Sequence, residues 1–115
     1  MATLANFLIG IIALLHLGFL YLEMFLWDKP TGRRVFHMTE EVARQSKTLA
    51  ANQGLYNGFL AAGLVWGLFS GDEVKTFFLI CVMIAGIFGA FTVSKRILYI
   101  QALPALFALA LLVVF

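Results

Sequence analysis

The sequence predicts an all-α fold, an integral membrane four-transmembrane-helix bundle with both termini on the non-cytoplasmic side. Two observations carry this prediction. The first is the composition: 63% of the 115 residues are hydrophobic and only 12% are charged, with a mean hydropathy of +0.98. Soluble domains carry about 25% charged and 45–50% apolar residues. The second is four long apolar segments, at residues 4–27, 49–69, 74–93 and 97–115.

Each segment has the length that a membrane-spanning helix needs, about 20 residues. Together they take most of the 115 residues, so we expect one domain over residues 1–115. The alternation typical of membrane β-strands does not occur. The first segment lacks the basic start and the cleavage site of a signal peptide, so we expect it to remain as a span.

The connections between the segments carry turn and capping residues. Residues 28–32 contain Pro30 and Gly32 and predict a turn that ends the first helix. Thr39 is expected to cap the second helix. From Glu40 this helix can continue to Phe69 over about 45 Å, which is longer than the membrane core, so its first part is expected to project into the cytoplasm. Short turns are expected at residues 70–72 and 94–96.

The distribution of cations predicts the orientation of the spans. The connections after the first and third spans carry seven lysines and arginines, whereas the connection after the second carries one. We therefore expect the first and third connections on the cytoplasmic side of the membrane. The seven are Lys29, Arg33, Arg34, Arg44, Lys47, Lys95 and Arg96, and the eighth is Lys75.

Several classes of site are excluded by the polar residues. A net charge of +2, scattered along the chain, does not suit a nucleic-acid surface. The single Cys81 and two histidines do not suit a disulfide framework or a structural zinc site. We expect no metal, no cofactor and no nucleic-acid partner.

Two ionisable residues lie inside the first span, where such side chains are a functional hypothesis by default. His16 and Glu23 are seven residues apart, so they point in directions about 20° apart and lie ~10 Å apart along the helix. Both are candidates for catalytic acid–base work. The alternatives are an interhelical hydrogen bond for His16, and for Glu23 an ion pair with Arg33, Arg34 or Lys95.

The second span carries a denser polar cluster, which shares one arc of the helix and consists of Asn52, Gln53, Tyr56 and Asn57. Gly54 and Gly58 lie beside this arc, and Gly63 and Gly67 follow one further turn along; both pairs are packing signals that let another helix approach closely. The fourth span adds Gln101 and Pro104, whose missing N–H frees the Ile100 carbonyl.

Apart from His16, which lies at the middle of its span and marks the floor, all these polar groups fall in the predicted cytoplasmic half of the membrane. The pattern predicts an inward-opening cavity that binds a small polar or amphipathic molecule, although a network of interhelical hydrogen bonds would produce the same pattern. The expected ligand-binding residues are Glu23, Asn52, Gln53, Tyr56, Asn57 and Gln101.

Three stretches, Tyr21–Trp27 (YLEMFLW), Gly32–Phe36 (GRRVF) and Leu49–Gly63 (LAANQGLYNGFLAAG), resemble the small bacterial membrane proteins catalogued as domain of unknown function 1304 (DUF1304). The resemblance covers the whole chain and implies a four-helix inner-membrane protein without an assigned activity. A weaker resemblance, of architecture alone, is to the membrane-associated eicosanoid and glutathione metabolism proteins. The arginine-rich second helix of those proteins is missing here.

Three functions are compatible with these features. One is a ligand-binding or enzymatic membrane module, with Glu23 and His16 as acid–base groups. Another is a small proton-coupled transporter, which the strong cation bias disfavours because it prevents antiparallel pairing. The last is a structural or accessory protein acting through oligomer contacts. Membrane lipids are expected partners, and we expect a homo-oligomer.

Overall fold

The structure is a computed structural model that describes residues 2–114. The described residues form five α-helices and one π-helical turn, which confirms the all-α prediction. The helices are α1 (Ala2–Phe25), α2 (Pro30–Val35), α3 (Glu40–Ser70), α4 (Asp72–Thr92) and α5 (Leu103–Val114), and the π turn is Leu98–Ala102. Among the described helices, α1 and α4 are long and apolar enough to cross a membrane, and Leu98–Val114 forms a shorter apolar helix.

The connection after α1 differs from the predicted turn. Helix α1 ends at Phe25, and Pro30 begins the short helix α2, because proline is favoured at the first helical position, where its missing N–H is not needed. Helix α2 ends with His37 in the left-handed region (φ 55°), and the Met38 N–H donates to the Arg33 carbonyl at 2.9 Å. This is the Schellman ending, in which glycine is the usual left-handed residue.

Gly32, in α2, occupies a position where a side chain has no room. A Cβ there would collide with the Leu26 carbonyl oxygen and would lie 2.9 Å from the Trp27 Cα, so main chain would have to move. We expect Gly32→Ala to destabilise the protein by about 1–3 kcal/mol, measured by thermal unfolding in detergent. Gly18→Ala is the matched control, because a Cβ there meets nothing within 4 Å. An equal melting temperature for both variants would contradict the close approach.

The described chain divides into two compact units. The first comprises the residues up to Leu14 and those from Leu60 onward. Its core is apolar and closely packed: Gly63 faces the Phe78 ring, and Gly67 faces Lys75. The second pair of packing glycines therefore makes close helix contacts. The buried core residues are Ile9, Ile12, Ala13, Ala61, Leu64, Leu79, Val82, Ala105 and Ala108.

The π turn in this first unit was not predicted. The Leu103 N–H donates to the Leu98 carbonyl, five residues back, in the wider ladder of a π-helix. Gly86 of α4 makes room for it, because a Cβ there would lie 2.7 Å from the Ala102 nitrogen. Pro104, which cannot donate in the next turn, is the one feature of the sequence that indicates an irregular helix here.

The second unit comprises residues 15–59 and contains the end of α1, helix α2 and the first part of α3. The cap at Thr39 is confirmed, since its Oγ1 accepts the Val42 N–H at 3.2 Å. The Trp27 Nε1 donates to Ser46 Oγ at 2.9 Å, and its ring lies 4.8 Å from that of Phe36. The predicted start of α3 at Glu40 is also confirmed.

An ion pair also joins the α1–α2 connection to α3. Lys47 Nζ lies 3.2 Å from Asp28 Oδ2, and the hydrogen bond from Lys47 holds the pKa of Asp28 below its usual value of 3.8. Because this pKa is lower in the folded chain than in the unfolded one, the pair stabilises above pH 3.8 and its contribution is lost as the pH falls through the folded pKa.

We expect Asp28→Asn to lower the melting temperature slightly at neutral pH and to have no effect below the folded pKa of Asp28. The measurement is the difference in melting temperature between wild type and Asp28→Asn, from neutral pH down to below the folded pKa of Asp28. The other carboxylates titrate in both proteins, so their contribution cancels in this difference. A difference that persists at the acidic end would assign the effect to packing and not to charge.

Candidate functional site

A buried carboxylate paired with a buried amide forms the centre of the second unit. Glu23 of α1 is 5% exposed and Asn57 of α3 is 8% exposed. The Asn57 Nδ2 donates to Glu23 Oε1 at 2.5 Å. The Gln53 side chain, one turn earlier on α3, is a second hydrogen-bonding neighbour of the carboxylate. The structure therefore brings together three of the predicted ligand-binding residues.

Two glycines of α3 make this pairing possible. A Cβ at Gly54 would lie 2.6 Å from Met24 Cγ, 3.1 Å from Glu23 Cβ and 3.2 Å from the Leu20 carbonyl oxygen. A Cβ at Gly58 would lie 2.8 Å from Leu20 Cδ1. The first pair of packing glycines thus lets α3 approach α1 closely, at the level where the carboxylate and the amide meet.

No positive side chain balances Glu23 within the described residues of this unit. The alternative partner Arg33 instead lies 4.0 Å from Glu40. A carboxylate offers about four acceptor positions, so Asn57 and Gln53 leave acceptor capacity unused. Burying a carboxylate is costly unless it is paired and hydrogen-bonded. The site therefore favours a further hydrogen-bond donor or a cationic group at Glu23.

The rest of the predicted polar arc is exposed. Asn52 and Tyr56 are both accessible on the surface of the described chain, and neither hydrogen-bonds to Glu23. The Tyr56 ring lies 6.1 Å from that of Phe59. The arc is wide, and only the edge that carries Gln53 and Asn57 is turned toward α1.

His16 and Gln101 belong to different units. His16 is fully buried, and its ring meets that of Phe19 edge-on at 5.4 Å. Gln101 belongs to the other unit, where it is half-buried in the π turn beside Gly86.

The burial of Lys75 was not predicted from the sequence. Lys75 is 6% exposed, and its Nζ donates to Asp72 Oδ1 at 3.2 Å within the first turn of α4. The spacing of three residues between this acid and this base was the available signal. Within residues 2–114, no three histidine, cysteine or acidic side chains are arranged to hold a metal ion.

Comparison with known proteins identifies relatives along nearly the whole chain. Residues 10–113 match the family described as "Protein of unknown function (DUF1304)". Over 114 residues the chain is 35% identical to "Uncharacterized protein YpaA" of Lactococcus lactis subsp. lactis (strain IL1403), covering 95% of this chain and 96% of that protein. No solved structure matches the chain significantly.

Proposed function

This chain belongs to the DUF1304 family, and we propose that it is a bacterial inner-membrane protein that binds a small polar or amphipathic ligand at Glu23. The match to the family model confirms the resemblance seen in the sequence, and the matched range of residues 10–113 contains both Glu23 and Asn57. In the proposed topology, residues 1–115 form one domain of four spans, with both termini outside the cytoplasm.

The exposed surface of the apolar helices supports a membrane location. The most hydrophobic windows of α1 and α4 have mean hydropathies of 2.1 and 2.2, yet only 28% and 22% of these windows are buried. Phe91, near the end of α4, is 87% exposed. Leaving apolar surface in water costs about 25 cal/mol per Å², whereas lipid removes this cost. The second and fourth spans would be residues 49–69 of α3 and the apolar helix of residues 98–114.

The observation that carries the proposal is the Glu23–Asn57 pair. An acid inside a membrane span is costly and marks a functional site by default. Its buried amide neighbour supplies one hydrogen bond, and no lysine or arginine of the same unit neutralises it. A ligand with an ammonium, amide or hydroxyl group would satisfy the remaining acceptor positions.

The exposed part of the arc supports a larger site. Asn52, Gln53 and Tyr56 are exposed on a stretch of α3 that the topology puts into the cytoplasmic half of the membrane. Polar side chains facing hydrocarbon are unfavourable. Ligand, water or a second copy of the chain must cover them, and for this reason we also propose a homo-oligomer.

Native mass spectrometry from mild detergent tests the proposal. We expect a bound mass on the wild type that Glu23→Gln, which keeps the shape and removes the charge, does not retain. Glu41→Gln is the control, because Glu41 lies exposed in the first turn of α3 and its variant should keep the mass. A mass retained by Glu23→Gln would contradict the site. An empty oligomer in every sample would favour a structural or transport role.

A further inference from the structure

A shallow groove opens on the first unit, near the turn that joins α3 to α4. It has a volume of about 330 Å³ and is lined by Trp66, Glu73, Val74, Phe77 and Phe78. Four of these residues belong to α4, at positions 73, 74, 77 and 78. Because they are adjacent or four residues apart, they share one face of that helix. This groove is at the small end of the range of ligand sites, large enough for a headgroup and the start of a chain.

Aromatic rings form most of the groove. The Phe78 ring meets the Trp66 ring at 6.3 Å and the Phe77 ring at 5.2 Å, both edge-on. Gly63 makes this arrangement possible, because a Cβ there would collide with the Phe78 ring. Trp66 and Phe77 themselves are exposed. The groove therefore presents ring faces and edges to its surroundings.

One carboxylate is the single ionisable group of the groove lining. Its neighbour Asp72 is paired with Lys75 at 3.2 Å. The Glu73 side chain is exposed and forms no ion pair or hydrogen bond with any described residue. A negative charge beside aromatic rings is the environment that attracts an organic ammonium group, through ion pairing and cation–π contact.

We infer that this groove binds the ammonium headgroup of an aminophospholipid. The ammonium group lies at Glu73, and the upper acyl chain packs on Trp66 and Phe77. In the topology proposed above, the groove is at the outer end of the hairpin of α3 and α4, at headgroup level, where tryptophan is enriched. Glu23 and Asn57 take no part in this site.

The fluorescence of Trp66 can test this directly. In Trp27→Phe protein, Trp66 is the only tryptophan left. The protein is reconstituted into phosphatidylglycerol vesicles that contain either brominated phosphatidylethanolamine or brominated phosphatidylglycerol. The mole fraction of the brominated lipid is the same in both samples. We expect the brominated phosphatidylethanolamine to quench Trp66 more strongly, because this lipid should be enriched about threefold at the groove. The enrichment is small because an exposed ion pair and a cation–π contact each contribute little binding free energy.

The controls separate this site from nonspecific lipid contact. Glu73→Gln should remove the preference, and Glu41→Gln should keep it. If Trp27→Phe does not fold, the difference between wild type and Trp66→Phe gives the same quantity. Equal quenching by the two lipids, or a preference that Glu73→Gln retains, would overturn the inference. Glu23→Gln should leave the preference unchanged, so failure at Glu23 and failure at this groove are distinguishable.

Discussion

Replacing Gly54 by alanine is expected to separate α1 from α3 at Glu23 and to destabilise the second unit. The new Cβ would overlap Met24 Cγ, which can move, but it would also press on Glu23 Cβ and on the Leu20 carbonyl oxygen, which is main chain. Overpacking of this kind costs about 1–3 kcal/mol, and loss of the Asn57 hydrogen bond to Glu23 would add about 1–3 kcal/mol. Denaturant unfolding in mild detergent measures the sum.

Gly18→Ala is the matched control for this variant. It adds the same methyl group to a helical glycine of the same unit, where nothing lies within 4 Å, so it should be neutral or slightly stabilising. If Gly54→Ala also leaves stability and ligand retention unchanged, the close approach of α3 to α1 does not position the pair.

Removing the amide from the pair is expected to have the second large effect. Asn57→Leu keeps a similar volume but leaves the Glu23 carboxylate buried without its principal donor, which costs about 1–3 kcal/mol. Replacing both partners by apolar residues of similar size can be nearly neutral. We therefore expect the double variant Glu23→Leu/Asn57→Leu to recover most of the stability that Asn57→Leu loses, while ligand retention stays abolished.

A double-mutant cycle measures the coupling energy between Glu23 and Asn57. Its four proteins are the wild type, Glu23→Leu, Asn57→Leu and the double variant. Membrane hydrogen bonds contribute about 0.6–2 kcal/mol, so a coupling energy in that range is expected. Strictly additive losses would show that Glu23 and Asn57 do not interact, whatever else each residue does.

Much of the local structure could be predicted because it depends on neighbours in the sequence. The Thr39 cap and the start of α3 depend on residues within one turn. The packing role of Gly54 and Gly58 could also be predicted, because small residues at this spacing form a groove on any helix. The turn at residues 70–72 has Gly71 at φ 123°, a conformation that glycine adopts readily.

The pairing at the site could not be predicted in the same way. Glu23 and Asn57 are 34 residues apart, and their meeting depends on how α1 and α3 are rotated against each other. Periodicity gives the polar arc of α3 but not the part of it that faces α1, so Asn52 and Tyr56 appeared equivalent to Asn57. The π turn likewise depends on the contact of Gly86 with Ala102, which Pro104 alone does not indicate.

Cysteine accessibility tests whether the polar site inside the membrane span is reached from the cytoplasm. In a Cys81→Ser background, Gln53→Cys is treated with a membrane-impermeant maleimide in right-side-out and inside-out vesicles. Gln45→Cys and Asp72→Cys, both at exposed positions, report the two sides. We expect Gln53→Cys and Gln45→Cys to react only in inside-out vesicles and Asp72→Cys only in right-side-out ones. Reaction of Gln53→Cys from the outer side, or from neither side, would contradict this expectation.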